Sequence, residues 1–330
     1  MAGKNRRAVS SMLAIMLIIV LLSAGFFTAS CSSEDEGVKT LIGLSQPNLS
    51  DNLQLCIKTE IQNRCEAYEN VRCISYDAGF NYSNQSEDIL RLLQLGIDAL
   101  VVVTVEPDLI ADAITQAFDA GIPVIIIGYA PSNGKYTTRV YTDNVKVGRQ
   151  AGDYVRLLAG DDEIVMLEIL GDPESMVSID LKQGFKQAIQ DKENIHNEYV
   201  MTGYWSQDKT LERMTESDFK SKAPPIDLIF AQNDSMAIGA SLGILDFGRE
   251  ITIIGVGGYP VKNSDLEALK NGQIDATFSV PTGGNEAVDT VIKLLDGEVA
   301  PRQIELTAVL VNSSNINQFN TDEVPADDKD

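Results

Sequence analysis

From residue 40 onward the chain alternates short apolar runs with longer stretches of mixed character. LIGLS (41–45) and VRCISYD (71–77) have the length and content of strands, and ALVVVTV (99–105) and IPVIIIG (122–128) are almost unbroken apolar runs. Between them lie helical patterns: Asp51 to Tyr68, SEDILRLLQLG (86–96) with apolar positions 89, 90, 92 and 93, and DLIADAITQAFDAG, which stops at Gly121. The alternation then restarts. Helices are expected at 147–160, in SIDLKQGFKQAIQDK, in KTLERMTESDFKS, in SMAIGASLGILDFG, in DLEALKNG and in GGNEAVDTVIKLLDG. Strands are expected at EIVMLEIL (163–170), NEYVMTGY, IDLIFAQ, ITIIGVG and DATFSV, with IELTAVLVN (304–312) as a single last strand. Apolar strands buried on both faces, separated by amphipathic helices, imply parallel sheets with right-handed crossovers. The break between the two sets, near Tyr141–Val145, is short and carries no low-complexity linker. The expected fold is therefore α/β: two Rossmann-like lobes with parallel sheets, joined by a hinge, with a cleft between them.

One stretch raises a chemical question. FAQNDSMAIGA (230–240) ends a buried strand with Asn233 and Asp234 in succession and then opens a helix. Both residue types cap helices, because their oxygens accept the orphan N–H bonds of the first turn. Both also suit ligands, which sit beyond the carboxyl ends of strands in open α/β sheets.

The first thirty residues follow a different pattern. Lys4, Arg6 and Arg7 precede the apolar run Met12–Leu22, and small residues lead to Cys31. This is the layout of a secretory signal. Thr28-Ala29-Ser30-Cys31 resembles a bacterial lipobox, which implies lipidation at Cys31 and a lipid anchor to the membrane, although Thr28 stands where that motif has Leu. The other reading is an uncleaved anchor, since the run extended through Phe27 nears spanning length. Both readings place the soluble part outside the cytoplasm. Residues 31–39 read as a tether and 319–330, ending EVPADDKD, as a disordered tail.

Charge narrows the partners. The net charge is −22, and taking away residues 1–30 removes three basic residues and no acid, leaving −25. Such a surface repels phosphate backbones, which excludes nucleic acid as a partner. Of the four cysteines, Cys56 and Cys65 lie about 13 Å apart along one expected helix, too far to bridge. Cys73 on the next strand can meet one of them, or all three can remain buried thiols. No spacing fits a zinc site.

The ordered set of motifs is more specific. YDAGFNYSNQSEDILRLLQLGIDALVVVTVEPDLIADAITQAFDAGIPVIII, then TDNVKVGRQAGDYV, FAQNDSMAIGA, ITIIGVGGYP, LKNGQIDATFSV and AVDTVIKLLDGE resemble, in order, the type I periplasmic binding proteins of the ribose-binding kind. The resemblance covers about residues 40 to 315. It implies three passages between lobes, near Thr142–Val145, Phe278–Pro281 and Arg302–Glu305. The lobes would be 38–143 plus 280–303 and 144–279 plus 304–318. It also implies a small solute captured between the lobes and delivered to an ABC permease or presented to a membrane receptor, by a monomer.

By the same resemblance, Asn81, Trp205 and Asn233 fall at ligand-contacting positions, and Asp234 is left as the helix cap. Each residue also has an ordinary explanation: a turn Asn, a half-buried aromatic and a second cap. Other positions of the sugar clamp are absent. Gly128-Tyr129 replaces Asp-Arg, Leu181 replaces Arg, Gly257 replaces Asp and Val280 replaces Gln. In SDNLQ the register is open, which leaves Asn52 and Gln54 as candidates beside Asp51. Unmatched hydroxyls in a dry cleft are costly. The reading is a sugar-like ligand with fewer hydroxyls, or one held by Phe80, Tyr82, Tyr129 and Tyr259. GVGGYP is not a nucleotide loop, because Pro260 occupies the third glycine position. His196 lies in a turn-like stretch, and no nucleophile, paired carboxylates or cofactor motif points to an enzyme.

Overall fold

The computed structural model describes residues 40–216, 225–245, 248, 250–260 and 265–319, the side chain of Glu198 excepted. The expected export segment, Cys31, the expected tether to residue 39 and the tail EVPADDKD lie outside the described residues. Thr40 onward forms one compact unit.

The first half runs β1 (Thr40–Gln46), α1 (Asn52–Glu66), β2 (Val71–Asp77), α2 (Tyr82–Gln94), β3 (Ala99–Thr104), α3 (Ala111–Asp119), β4 (Val124–Gly128) and β5 (Thr138–Thr142). The second half runs α4 (Asn144–Ala159), β6 (Ile164–Leu170), α5 (Met176–Ile189), β7 (Ile195–Thr202), α6 (Gln207–Thr215), β8 (Leu228–Ala231), α7 (Asp234–Gly243), β9 (Thr252–Gly257), α8 (Asp265–Lys270) and β10 (Ala276–Ser279). The chain closes with α9 (Gly284–Leu295), β11 (Gln303–Leu306) and β12 (Val309–Asn312).

Two sheets result, in the orders β11-β5-β4-β3-β1-β2 and β12-β10-β9-β8-β6-β7. The first is parallel throughout, and the second is parallel except where β12 runs against β10. The apolar content of β3 follows from its central place. Val101 and Val103 face α1 and α9, while Leu100 and Val102 face α2 and α3. A strand buried on both faces has no polar side to show, hence ALVVVT. In the second lobe, Phe230 and Ile254 face α4 and α5, and Ile229 and Ile253 face α6, α7 and α8. Helices α4 and α5 touch through glycines. A Cβ at Gly148 would lie 2.0 Å from the Leu181 carbonyl oxygen, and one at Gly184 would lie 1.9 Å from that of Val145.

The chain passes between the sheets after Thr142, between Ser279 and Gly284, and at Thr307–Ala308. The third passage differs from the expectation of Arg302–Glu305. IELTAVLVN is not one strand: Gln303–Leu306 pairs with β5, and Val309–Asn312 pairs with β10 of the other sheet. The apolar pattern runs through both, and only the choice of partner separates them. β5 was not foreseen either, because TRVYT alternates in burial and lacks an apolar run. His196 lies on β7 rather than in a turn, with Nε2 2.6 Å from Glu163 Oε2. Cys56, Cys65 and Cys73 are free thiols. Cys65 and Cys73 pair by a side-chain hydrogen bond that lowers the Cys65 thiol pKa, while burial pushes Cys56 up to about 12.

Candidate ligand cleft

The loops at the carboxyl ends of the strands meet across the hinge. Side-chain hydrogen bonds join the lobes there. Asn52, the first residue of α1, donates Nδ2 to Asp265 Oδ1 of α8 at 2.9 Å. Tyr129, just past β4, donates its hydroxyl to Asp180 Oδ2 of α5 at 2.6 Å. Nearer the hinge, Lys146 of α4 pairs with Glu305 of β11.

The Tyr129 site is built from the end of β4. Gly128 has φ 107°, and its carbonyl accepts from Arg139 Nε at 2.6 Å. The Tyr129 carbonyl accepts from Thr104 Oγ1 at 2.5 Å. The hydroxyl also accepts from Asn144 Nδ2 at 3.1 Å. Burial first, and the bond to Asp180 second, raise the Tyr129 pKa above the ordinary phenol range.

Trp205 and Asn233 form one unit on the second lobe. Tyr204 and Trp205 follow β7 with φ 52° and 62°, a left-handed pair that side chains disfavour. Asn233 Nδ2 donates to the Trp205 carbonyl at 3.1 Å and holds this turn. Asn233 Oδ1 accepts the Met236 N–H at 2.8 Å and caps α7. The Trp205 ring lies against Gly171 at the end of β6, where a Cβ would fall 2.1 Å from Trp205 Cζ2.

Asp234 therefore is not the helix cap expected from the sequence. It is fully buried, and its Oδ2 accepts from the Gly258 N–H at 2.6 Å and from Thr277 Oγ1 at 2.8 Å. It ties α7 to the ends of β9 and β10. Its Oδ1 has no hydrogen-bond partner. Burial first, then the charge of Asp265, raises its pKa well above the carboxylate range. Tyr259 follows β9, with its N–H donating to Asp265 Oδ2 at 3.1 Å. Its pKa is raised by burial, by Asp265, and by Cys56 and Asp51 of the first lobe.

The remaining candidates divide. Asn81 caps α2 by accepting from the Ser83 and Asn84 N–H groups at 2.9 and 3.1 Å. Phe80 beside it is 64% exposed with φ 61°. Three of the four non-glycine residues with left-handed backbone among those described, Phe80, Tyr204 and Trp205, thus lie in these strand-end loops. Gln54 is buried, and Gln46 Nε2 donates to its carbonyl and to its Oε1 at 2.9 and 3.1 Å. Asp180, Asn144, Asp265 and Gly171 were not singled out in the sequence. Asn144 lies inside the quoted TDNVKVG, but nothing local marks Asp180 among the many surface acids.

A family model described as a periplasmic binding protein domain matches residues 42–298. The chain belongs to the periplasmic binding protein family. Its type I, ribose-binding-like character agrees with the two mostly parallel lobes and with its relatives. The ribose import binding protein RbsB of Bacillus subtilis (strain 168) is 28% identical to this periplasmic binding protein over 272 residues, covering 79% of this chain and 86% of the relative. The galactofuranose-binding protein YtfQ of Escherichia coli (strain K12) is 27% identical over 234 residues, covering 68% and 72%. Among solved structures, the fructose binding periplasmic domain of a hybrid two component system superposes with TM-score 0.75 at 26% identity, covering 84% of this chain and 92% of that one. The family places this periplasmic binding protein outside the cytoplasm.

Proposed function

We propose that the protein captures a sugar-like small molecule between its lobes and delivers it to an ABC importer, held at the membrane by a lipid on Cys31. The observation that carries this reading is the meeting of both lobes at their strand ends, where Asn52 reaches Asp265 and Tyr129 reaches Asp180 across the hinge. Closure on a guest is the event a partner can read. Ribose and galactofuranose relatives support a sugar-like guest and import. The side chains here favour a guest with fewer hydroxyls: Tyr129 and Asn233 spend their polar atoms on protein partners. Trp205, Phe80, Asn81 and Tyr259 remain for contact with it.

A second reading is sensory, with the closed form presented to a membrane receptor or histidine kinase. The fructose-binding domain of a hybrid two-component system favours it. Calorimetry with pentoses, hexoses, furanoses, inositols and polyols tests the shared core, and a ligand raises the melting temperature by mass action. Stimulated uptake into vesicles carrying a candidate ABC permease then separates import from sensing.

A further inference from the structure

The hydrogen bonds of Tyr129 have a feature that ligand contact does not explain. Its hydroxyl is saturated by protein: it donates to Asp180 Oδ2 at 2.6 Å and accepts from Asn144 Nδ2 at 3.1 Å. Both partners belong to the second lobe, at the amino end of α4 and in the second turn of α5. Tyr129 itself is fixed to the first lobe. Thr104 holds its carbonyl, and Arg139 grips the preceding Gly128 carbonyl while its guanidinium lies 5.7 Å from the Tyr129 ring centre. A rigid, half-buried aromatic on one lobe thus ends in a charge-assisted bond to the other.

We propose that Tyr129, Asp180 and Asn144 form an interlobe latch that favours the closed form through protein contacts alone. The latch deepens the proposed function and rests on the same cleft. Opening the hinge separates Tyr129 from both partners, so the bonds exist only in the closed form and bias the equilibrium by their full net worth. A hydrogen bond to a charged group corresponds to about a 10- to 100-fold change in the closed-to-open ratio. A protein held nearer to closure loses less of its intrinsic affinity to the closing step, whatever the chemistry of its guest. Tyr129 therefore tunes affinity uniformly and leaves specificity to other residues.

The test uses the chain from Thr40 onward, which forms its own compact unit. Small-angle scattering without added ligand compares the wild type with Tyr129→Phe, Asp180→Ala and the double variant, with circular dichroism to verify folding. The expected result is a larger radius of gyration for each single variant and no further increase for the double. Titration with each binding sugar or polyol should show affinity reduced by one common factor in Tyr129→Phe. Identical scattering for the wild type and the folded single variants would overturn the latch. So would a loss of affinity restricted to some ligands, which marks Tyr129 as a ligand contact. Should Tyr129→Phe fail to fold, Asp180→Ala, which keeps the ring, decides alone. If nothing in the panel binds, capture of sugar-like guests fails while the scattering arm still decides the latch.

Discussion

Replacing Asn233 separates two jobs that one amide performs. Its Oδ1 caps α7 through the Met236 N–H, and its Nδ2 holds the Trp205 carbonyl. Asn233→Ala removes both. Loss of an N-cap costs about 1 kcal/mol, and loss of a neutral amide-to-carbonyl bond costs about 1 kcal/mol more. The sum, about 2 kcal/mol, corresponds to a fall in melting temperature of about 3 °C for a chain of this size. Asn233→Ser keeps a capping oxygen but is too short to reach Trp205. It should lose about half as much stability while freeing the Tyr204–Trp205 turn from its tether. Trp205 is the only tryptophan in the chain, so its emission reports that turn directly. Urea denaturation followed by circular dichroism, with fluorescence in parallel, reads the two effects apart. Both variants should shift Trp205 emission, and only the Ala variant should show the full stability loss. A Ser variant with wild-type emission, or an Ala variant no less stable than wild type, would refute the assignment of roles.

Gly184→Ala should destabilise the second lobe by about 1–3 kcal/mol or more, because its Cβ would meet the Val145 carbonyl at 1.9 Å and push α4 from α5; a denaturation midpoint equal to wild type would contradict that close contact. Stability should also depend on pH with a definite sign. Burial raises Glu168 and Asp234, so in the window above the ordinary carboxylate pKa the fold binds more protons than the unfolded chain, and stability falls as pH rises through it. Asp289 acts oppositely: burial alone would raise it, but Arg64 and Tyr68 hold it low, so its contribution is lost on acidification. Melting temperature should climb as pH falls from neutrality towards the ordinary carboxylate range, with a smaller climb in Asp234→Asn. A melting temperature flat across that range would contradict the assignment.

The alternation of strands and helices was legible because burial on both sheet faces leaves an almost pure apolar signature, as in β3 and β4. The division of β11 from β12 was not, since partner choice at Thr307–Ala308 is a long-range decision that no local pattern records. Asn233 and Asp234 show the same limit at finer scale. Of two adjacent residues with equal capping chemistry, Asn233 caps α7 and Asp234 does not. Asp234 is drawn inward by Gly258 and Thr277, which lie 24 and 43 residues away. Tyr129 stands in the sequence as a departure from the family's Asp-Arg, and its attachment to Asp180 depends on how two lobes meet.

The two lobes should close on one small guest. Isothermal calorimetry of the chain from Thr40 onward against a panel of furanoses, pyranoses, inositols and polyols, with Trp205 emission recorded on the same samples, tests it most directly. The expected result is saturable binding of one ligand per chain, accompanied by a change in Trp205 emission. Absence of heat and of any emission change across the whole panel would contradict it.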